Sequence, residues 1–151
     1  MNAIASLQEG LKWSNDLLEM CMADVTPEQL HWIPPGNAHP VGSTYAHGVI
    51  AQDMIVHNLL QGKKPLFMST WSGKTGVSEP TFHQSLEWTR SVKIDLLQLR
   101  KYAQAVYTAV DAYIGSLTEK DLEREIDLTD SGLGKHTLNW ALHAIVIGHT
   151  H

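Results

Sequence analysis

The stretch VKIDLLQLRKYAQAVYTAVDAYIGSL, from Val92 to Leu117, decides the fold because its apolar residues recur at alternating steps of four and three. Such steps place side chains on one face of an α-helix. The repeat predicts a helix of about 25 residues, or roughly 37 Å at the usual rise per residue. A face of that length requires other helices to cover it. The repeat consists of Val92, Leu96, Leu99, Ala103, Val106, Val110, Tyr113 and Leu117.

Three further long helices are predicted from the same kind of periodicity. The first runs from an N-cap at Asn2 to Asp24, and the second runs from Thr44 to Leu60, between an N-cap at Ser43 and a stop at Gly62. The last begins near Thr137 and continues through His149. Four long amphipathic helices favour an all-α fold, an antiparallel four-helix bundle with long crossover connections.

The segments between these helices contain capping and turn signals. Thr26-Pro-Glu-Gln29 and Thr118-Glu-Lys-Asp121 each predict a short capped helix. The connection 62–80 is rich in glycine and lysine, and we expect a short turn at Leu66 to Met68. The second long connection, 118–136, predicts a short extended piece at Ile126 to Leu128.

Length and composition fit a single domain, residues 1–151, with an ordinary hydrophobic core. The last helix lacks a glycine cap or a basic final turn, so we expect the natural chain to continue past His151. Eleven basic and sixteen acidic residues give a net charge of −5, which argues against nucleic acid and anionic membranes as partners. A single cysteine and the lack of a signal peptide indicate a cytoplasmic protein.

Nine histidines are many for this length, and the neutral imidazole is a common ligand of transition metals. His47 shares a helical face with Ile50 and Met54, so it is expected to point inward. An inward imidazole is either a metal ligand or a core histidine with hydrogen-bonded nitrogens. From spacing alone the core role is favoured.

The last helix offers a second inward histidine. His149 continues the stripe of Leu138, Leu142 and Ile145, whereas His143 and His151 lie well away from it. His149 is therefore the preferred ligand, and the other two are alternatives if the helix is rotated. Of the remaining histidines, His57 is interpreted as structural, and His31, His39, His83 and His136 as surface or loop residues, with slightly more weight on His39.

Other chemical motifs do not occur in the sequence. It contains no glycine-rich phosphate loop, no cysteine pair for zinc, no Gly-x-Ser-x-Gly elbow and no His-Glu-x-x-His motif. Cys21 is interpreted as a small buried apolar side chain. Asp53 follows His47 by six residues and lies off its face, so no general base is evident beside the histidine.

Two segments resemble the DinB/YfiT-like superfamily of metal-binding four-helix bundles. They are LHWIPPGNAHPVG, from Leu30 to Gly42, and YAHGVIAQD, from Tyr45 to Asp53. In that family a Leu-x-Trp-x-Pro segment precedes a helix with a histidine near its start, and His47 matches this histidine. The family also has a His-x-x-x-His pair on the last helix, and the segment IGHTH, residues 147–151, is similar to its beginning.

The register of that second pair has two alternatives. If His149 is its first member, the partner falls at position 153, beyond the last residue. If His151 belongs to the pair instead, its partner position is occupied by Ile147.

The resemblance implies a divalent metal, nickel or zinc, held by three histidines with open coordination positions. His47, His149 and His151 are the candidate ligands in this chain. Members of the family include thiol-dependent transferases that use mycothiol or bacillithiol, an isomerase and hydrolases, and dimers are common. We therefore expect a metal-dependent homodimeric enzyme, such as a thiol-dependent S-transferase or hydrolase, with a small-molecule substrate and a low-molecular-weight thiol as a further cofactor.

Two other hypotheses remain. The first is a non-catalytic helical bundle, a binding or interaction protein whose histidines serve as polar groups of the core. The second is a thiol transferase in which the metal activates a small cofactor thiol. In this enzyme the 62–80 connection, with Phe67 and Trp71, would cover the substrate.

Overall fold

Helices account for most of residues 2–149, the part of the chain that the computed structural model describes. Helices α3 and α7 each continue directly into a wider π-helical segment, Met54–Leu59 after α3 and Leu142–Ile147 after α7. The helices are α1 (Ala3–Met22), α2 (Pro27–His31), α3 (Val41–Asp53), α4 (Leu86–Ser91), α5 (Leu96–Ser116), α6 (Glu119–Leu122) and α7 (Leu138–Ala141).

The expectation of an all-α fold is wrong in one respect, because the 118–136 connection contains part of a β-hairpin. Strand β1 (Glu125–Leu128) pairs antiparallel with β2 (Gly134–Thr137). The extended piece at Ile126 to Leu128 was predicted, but its partner strand was not. Residues 134–137 have no alternation of apolar and polar side chains, so only the pairing with β1 defines β2 as a strand.

The helix caps predicted at Asn2, Thr26 and Thr118 are confirmed. The Asn2 side chain accepts a hydrogen bond from the Ala5 N–H at 2.9 Å and begins α1. Thr26 and Thr118 each form a reciprocal capping box at the start of α2 and α6. Thr137 caps α7 through the Trp140 N–H. These contacts are local, and this explains why the sequence predicted them correctly.

Helix α5 begins at Leu96, four residues later than the apolar repeat predicted. Asp95 caps it by accepting from the Gln98 N–H, and Ile94 forms a β-bridge with Val77. Val92 is buried but ends α4. The repeat therefore continued through a short extended segment, whose buried side chains happened to keep the helical spacing.

Helix α3 also begins earlier than predicted, at Val41, so Ser43 is not its N-cap. The Ser43 hydroxyl instead donates to the Pro40 carbonyl from within the first turn. The far end agrees with the prediction. Gly62 has a φ of 67°, and its N–H donates to the Asn58 carbonyl, which stops the helix.

The long helices pack around one apolar core. Helix α1 contacts α5 and the π-helical segment that follows α7, and α3 contacts α2 and α5. The two π-helical segments also contact each other. The predicted inner face of α5 is largely confirmed, with Leu99, Ala103, Val106 and Val110 buried. Tyr102 and Ile114 are buried on this face as well.

A buried carboxylate joins three of these elements. Asp53, at the end of α3, is fully buried and accepts four hydrogen bonds. Its Oδ1 accepts from the Leu66 N–H at 2.8 Å and from His57 Nδ1 at 2.7 Å. Its Oδ2 accepts from the Phe67 N–H at 3.0 Å and from the Tyr102 hydroxyl at 2.5 Å. Asp53 therefore ties the 62–80 connection and α5 to the end of α3.

A second carboxylate connects helices α1, α3 and α5. Glu19 accepts hydrogen bonds from the hydroxyls of Tyr45 (2.6 Å) and Tyr107 (2.8 Å). Burial raises the pKa of both phenols far above the usual value, and the Glu19 carboxylate raises it further. Burial and the Asp53 charge likewise raise the pKa of Tyr102.

Replacement of Asp53 by alanine should lower the free energy of unfolding by about 3–5 kcal/mol, because four donors lose a buried acceptor together. Tyr102→Phe removes one of these hydrogen bonds and should cost about 1.5–3 kcal/mol. Urea unfolding followed by circular dichroism measures both. An Asp53→Ala loss no larger than that of Tyr102→Phe would contradict the role of Asp53 as a hub.

Alkaline pH should destabilise the protein through its tyrosines. Unfolded tyrosine has a pKa of about 10, whereas the folded pKa of Tyr45, Tyr102 and Tyr107 is raised. Above about pH 10 the unfolded state releases protons that the folded state keeps, so stability falls as pH rises. Tyrosine ionisation, followed by absorbance, should therefore coincide with loss of helicity for these residues. Ionisation of all four tyrosines with helicity intact would overturn this prediction.

Candidate functional site

Two histidines that are 102 residues apart in the sequence meet in the folded protein. The Nε2 atoms of His47 and His149 lie 3.2 Å apart, and the ring centroids are separated by 5.2 Å. His47 lies in the second turn of α3, and His149 follows the π-helical segment after α7. The structure therefore brings together two of the three predicted site residues.

The third predicted ligand, His151, lies outside the described residues. Among residues 2–149, no group of three or more histidine, cysteine, aspartate or glutamate side chains is arranged to hold a metal ion. The described part of the chain thus supplies a pair of imidazoles and no third ligand.

The π-helical segment after α7 determines which side of the last helix faces the core. Leu138, Leu142 and Val146 are buried at steps of four, with Ala141 buried beside them, whereas the predicted stripe continued to Ile145. Ile145 is only partly buried. A π-helix bonds residue i to i+5 and holds more residues per turn than an α-helix, so the inward stripe advances by four. His149 lies three residues after Val146, and its Nε2 still reaches that of His47.

The surroundings of both imidazoles favour the neutral form. Burial lowers the pKa of His47, and the nearby His149 and His39 lower it further. Burial also lowers the pKa of His149. His47 Nδ1 is buried and has no hydrogen-bond partner among the described residues, so the neutral tautomer with a free Nε2 also places its N–H there without an acceptor. The neutral form is the one that binds metals.

Residues of neighbouring segments border the pair. The ring of Phe82 lies 6.4 Å from that of His47, and the ring of His83 lies 6.1 Å from Phe82. His39 Nδ1 lies 3.1 Å from the Thr89 hydroxyl, which itself donates to the Leu86 carbonyl. Nδ1 of His39 must therefore be the donor, which leaves its Nε2 without a proton in the neutral ring.

The other histidines have structural contacts. His57 is buried against Asp53, in agreement with the structural interpretation. His31 is more than a surface residue, because its Nε2 accepts from the Ile94 N–H at 3.0 Å. His136 lies on β2 and stacks on Trp140 at a centroid distance of 3.6 Å.

His143, the alternative to His149 on the last helix, points away from the core. It is exposed, and its Nδ1 lies 3.0 Å from the Asn139 carbonyl. Of the two candidates on the last helix, only His149 contacts His47.

Three sequence interpretations of other residues need correction or extension. Cys21 is exposed rather than buried. Phe67 and Trp71, the aromatic residues expected near a substrate, pack elsewhere, since Phe67 is buried beside Asp53 and Trp71 contacts the Tyr102 ring. Phe82 is the aromatic residue in contact with His47, and no periodicity or motif in the sequence indicated it.

Comparison with known proteins shows the family and the fold of the chain. A model of the DinB superfamily matches residues 11–151, so the chain belongs to the DinB superfamily. The fold is also similar to that of a conserved protein from Enterococcus faecalis, whose crystal structure matches with a TM-score of 0.82. The match covers 99% of this chain and 92% of that one, at 19% sequence identity, and thus concerns the fold alone.

No curated protein matches the sequence. Across residues 2–149, every helix is too short or too polar to span a lipid bilayer.

Proposed function

We propose that His47 and His149 hold a divalent metal ion, nickel or zinc, and that His151 supplies a third imidazole. On this proposal the protein is a metal-dependent enzyme that acts on a small molecule, by thiol-dependent S-transfer or by hydrolysis. A low-molecular-weight thiol would be the second cofactor. The observation that carries the proposal is the approach of the two Nε2 atoms to 3.2 Å.

This distance fits two ligands of one ion. Zinc binds imidazole nitrogen at about 2.0–2.1 Å, so two nitrogens 3.2 Å apart subtend an angle of roughly 100° at the metal. The angle lies between the values for tetrahedral and octahedral coordination. Neutral rings with converging Nε2 atoms also match the donor type that nickel and zinc prefer.

A metal bound by three imidazoles keeps open positions and lowers the pKa of a bound water or thiol toward neutrality. The protein's part would be to keep both imidazoles neutral and their Nε2 atoms aimed at one point. Burial lowers the pKa of both rings, and two packed helices fix their positions.

The proposal also includes the wider architecture and the setting of the protein. Helices α1, α3, α5 and the helix that begins with α7 would form an antiparallel four-helix bundle with the histidine pair on its last and second long members. The chain would act as a homodimer in the cytoplasm, without nucleic acid or membrane partners. The net charge of −5 supports the last point.

A non-catalytic function is the second candidate. A binding or interaction protein could keep His47 and His149 as polar contacts between two helices. The absence of a third ligand among residues 2–149 favours it. In that case the two imidazoles would share one proton between their Nε2 atoms, and loss of either ring would change stability without any effect of metal.

Metal titration of the full chain tests the site. The wild-type protein should bind about one equivalent of nickel or zinc, and His47→Ala or His149→Ala should weaken binding by at least about 100-fold, since each removes a ligand. His143→Ala is the matched control, because His143 is exposed on the same helix and should leave the affinity unchanged. Less than a tenth of an equivalent bound to wild type would refute the site and favour the non-catalytic function.

Activity assays separate catalysis from simple metal binding. The metal-loaded protein should transfer bacillithiol, mycothiol or glutathione to an electrophile, or hydrolyse an ester. His47→Ala should reduce the rate by at least about 100-fold, because the metal and its activated ligand are lost. Inactivity of a fully loaded sample with all three thiols and the ester would count against the enzyme.

A further inference from the structure

Phe82 lies beside the histidine pair and is not one of the buried core residues. Its ring lies 6.4 Å from the His47 ring with 33° between the planes, yet 37% of the residue remains exposed. A phenyl ring that served only to cover His47 would gain most by full burial. The exposed part of this ring is available to a ligand.

The segment that holds Phe82 is hydrogen-bonded on both sides of the ring. The Trp88 indole N–H donates to the Glu79 carbonyl at 2.7 Å, and the His83 N–H donates to the Thr81 hydroxyl at 3.2 Å. Trp88 itself is buried in the core. The ring is therefore presented by an anchored segment, and a ligand would meet it with little further ordering.

Among residues 2–149, no aspartate or glutamate joins His47 and His149 in a group that could hold a metal ion. A divalent ion bound by neutral imidazoles would keep its full charge. An anionic donor on the ligand would reduce that charge, which neutral donors would not.

We propose that the site takes a small anionic ligand whose apolar aryl or alkyl group, next to the metal-binding atoms, packs on Phe82. Phe82 is thus the residue that selects ligands by their apolar part. The inference rests on the proposed metal site and specifies its ligand. Phe67 and Trp71 cannot take this role, because the Phe67 side chain is buried in the core and the Trp71 ring contacts the ring of Tyr102.

The experiment uses the full chain loaded with Co²⁺, after a titration that measures metal affinity. Two probes are compared, acetohydroxamate and benzohydroxamate, which share the chelating group and differ in one phenyl ring. Their dissociation constants are measured from the visible spectrum of the cobalt. Phe82→Ala removes the ring, and Leu97→Ala, at an exposed apolar position on α5, is the control.

Wild type and Leu97→Ala should bind benzohydroxamate about three- to tenfold more tightly than acetohydroxamate, the range expected for one aromatic contact. Phe82→Ala should bind the two equally, with its Co²⁺ affinity and melting temperature unchanged. Two results would overturn the inference and leave the metal site intact. They are equal binding of the two hydroxamates by wild type, and a preference for benzohydroxamate that remains in Phe82→Ala. Failure of wild type to bind Co²⁺ would refute the metal site, and the inference with it.

Discussion

The buried carboxylate of Asp53 is the interaction on which the rest of the structure depends. A charge with no exposed surface is costly unless several donors surround it, and here two backbone N–H groups, a tyrosine and a histidine do so. These donors come from the π-helical segment, the 62–80 connection and α5. One residue thus determines how the end of α3 is positioned, and His47 lies about 9 Å earlier along the same helix.

The histidine pair forms because α3 is positioned in this way and because the last helix lies beside it. His47 and His149 are 102 residues apart and meet only because their helices lie side by side. Each helix contains a π-helical segment, and these segments contact each other. Such segments are rare and often occur near functional sites. Here the one after α7 adjusts the direction of the helix face that carries His149.

Several features could be predicted because their causes are local. The capping boxes at Thr26 and Thr118, the stop at Gly62 and the inner face of α5 each depend on residues within one or two turns. Predictions failed where a distant partner decides the outcome. Strand β2 exists because β1 pairs with it, and the extended segment before α5 exists because Ile94 bridges to Val77.

The sequence by itself determined where the long helices lie in the chain, the inner face of α5, the family of the chain and His47 as the residue to examine. Tertiary structure alone decided that Nε2 of His149 approaches Nε2 of His47, that Phe82 rather than Phe67 lies beside the pair, and that Asp53 is a hub. The physical reason is that helix periodicity and capping are set by neighbours in the chain. The direction of a side chain across a core depends on packing between segments far apart in sequence.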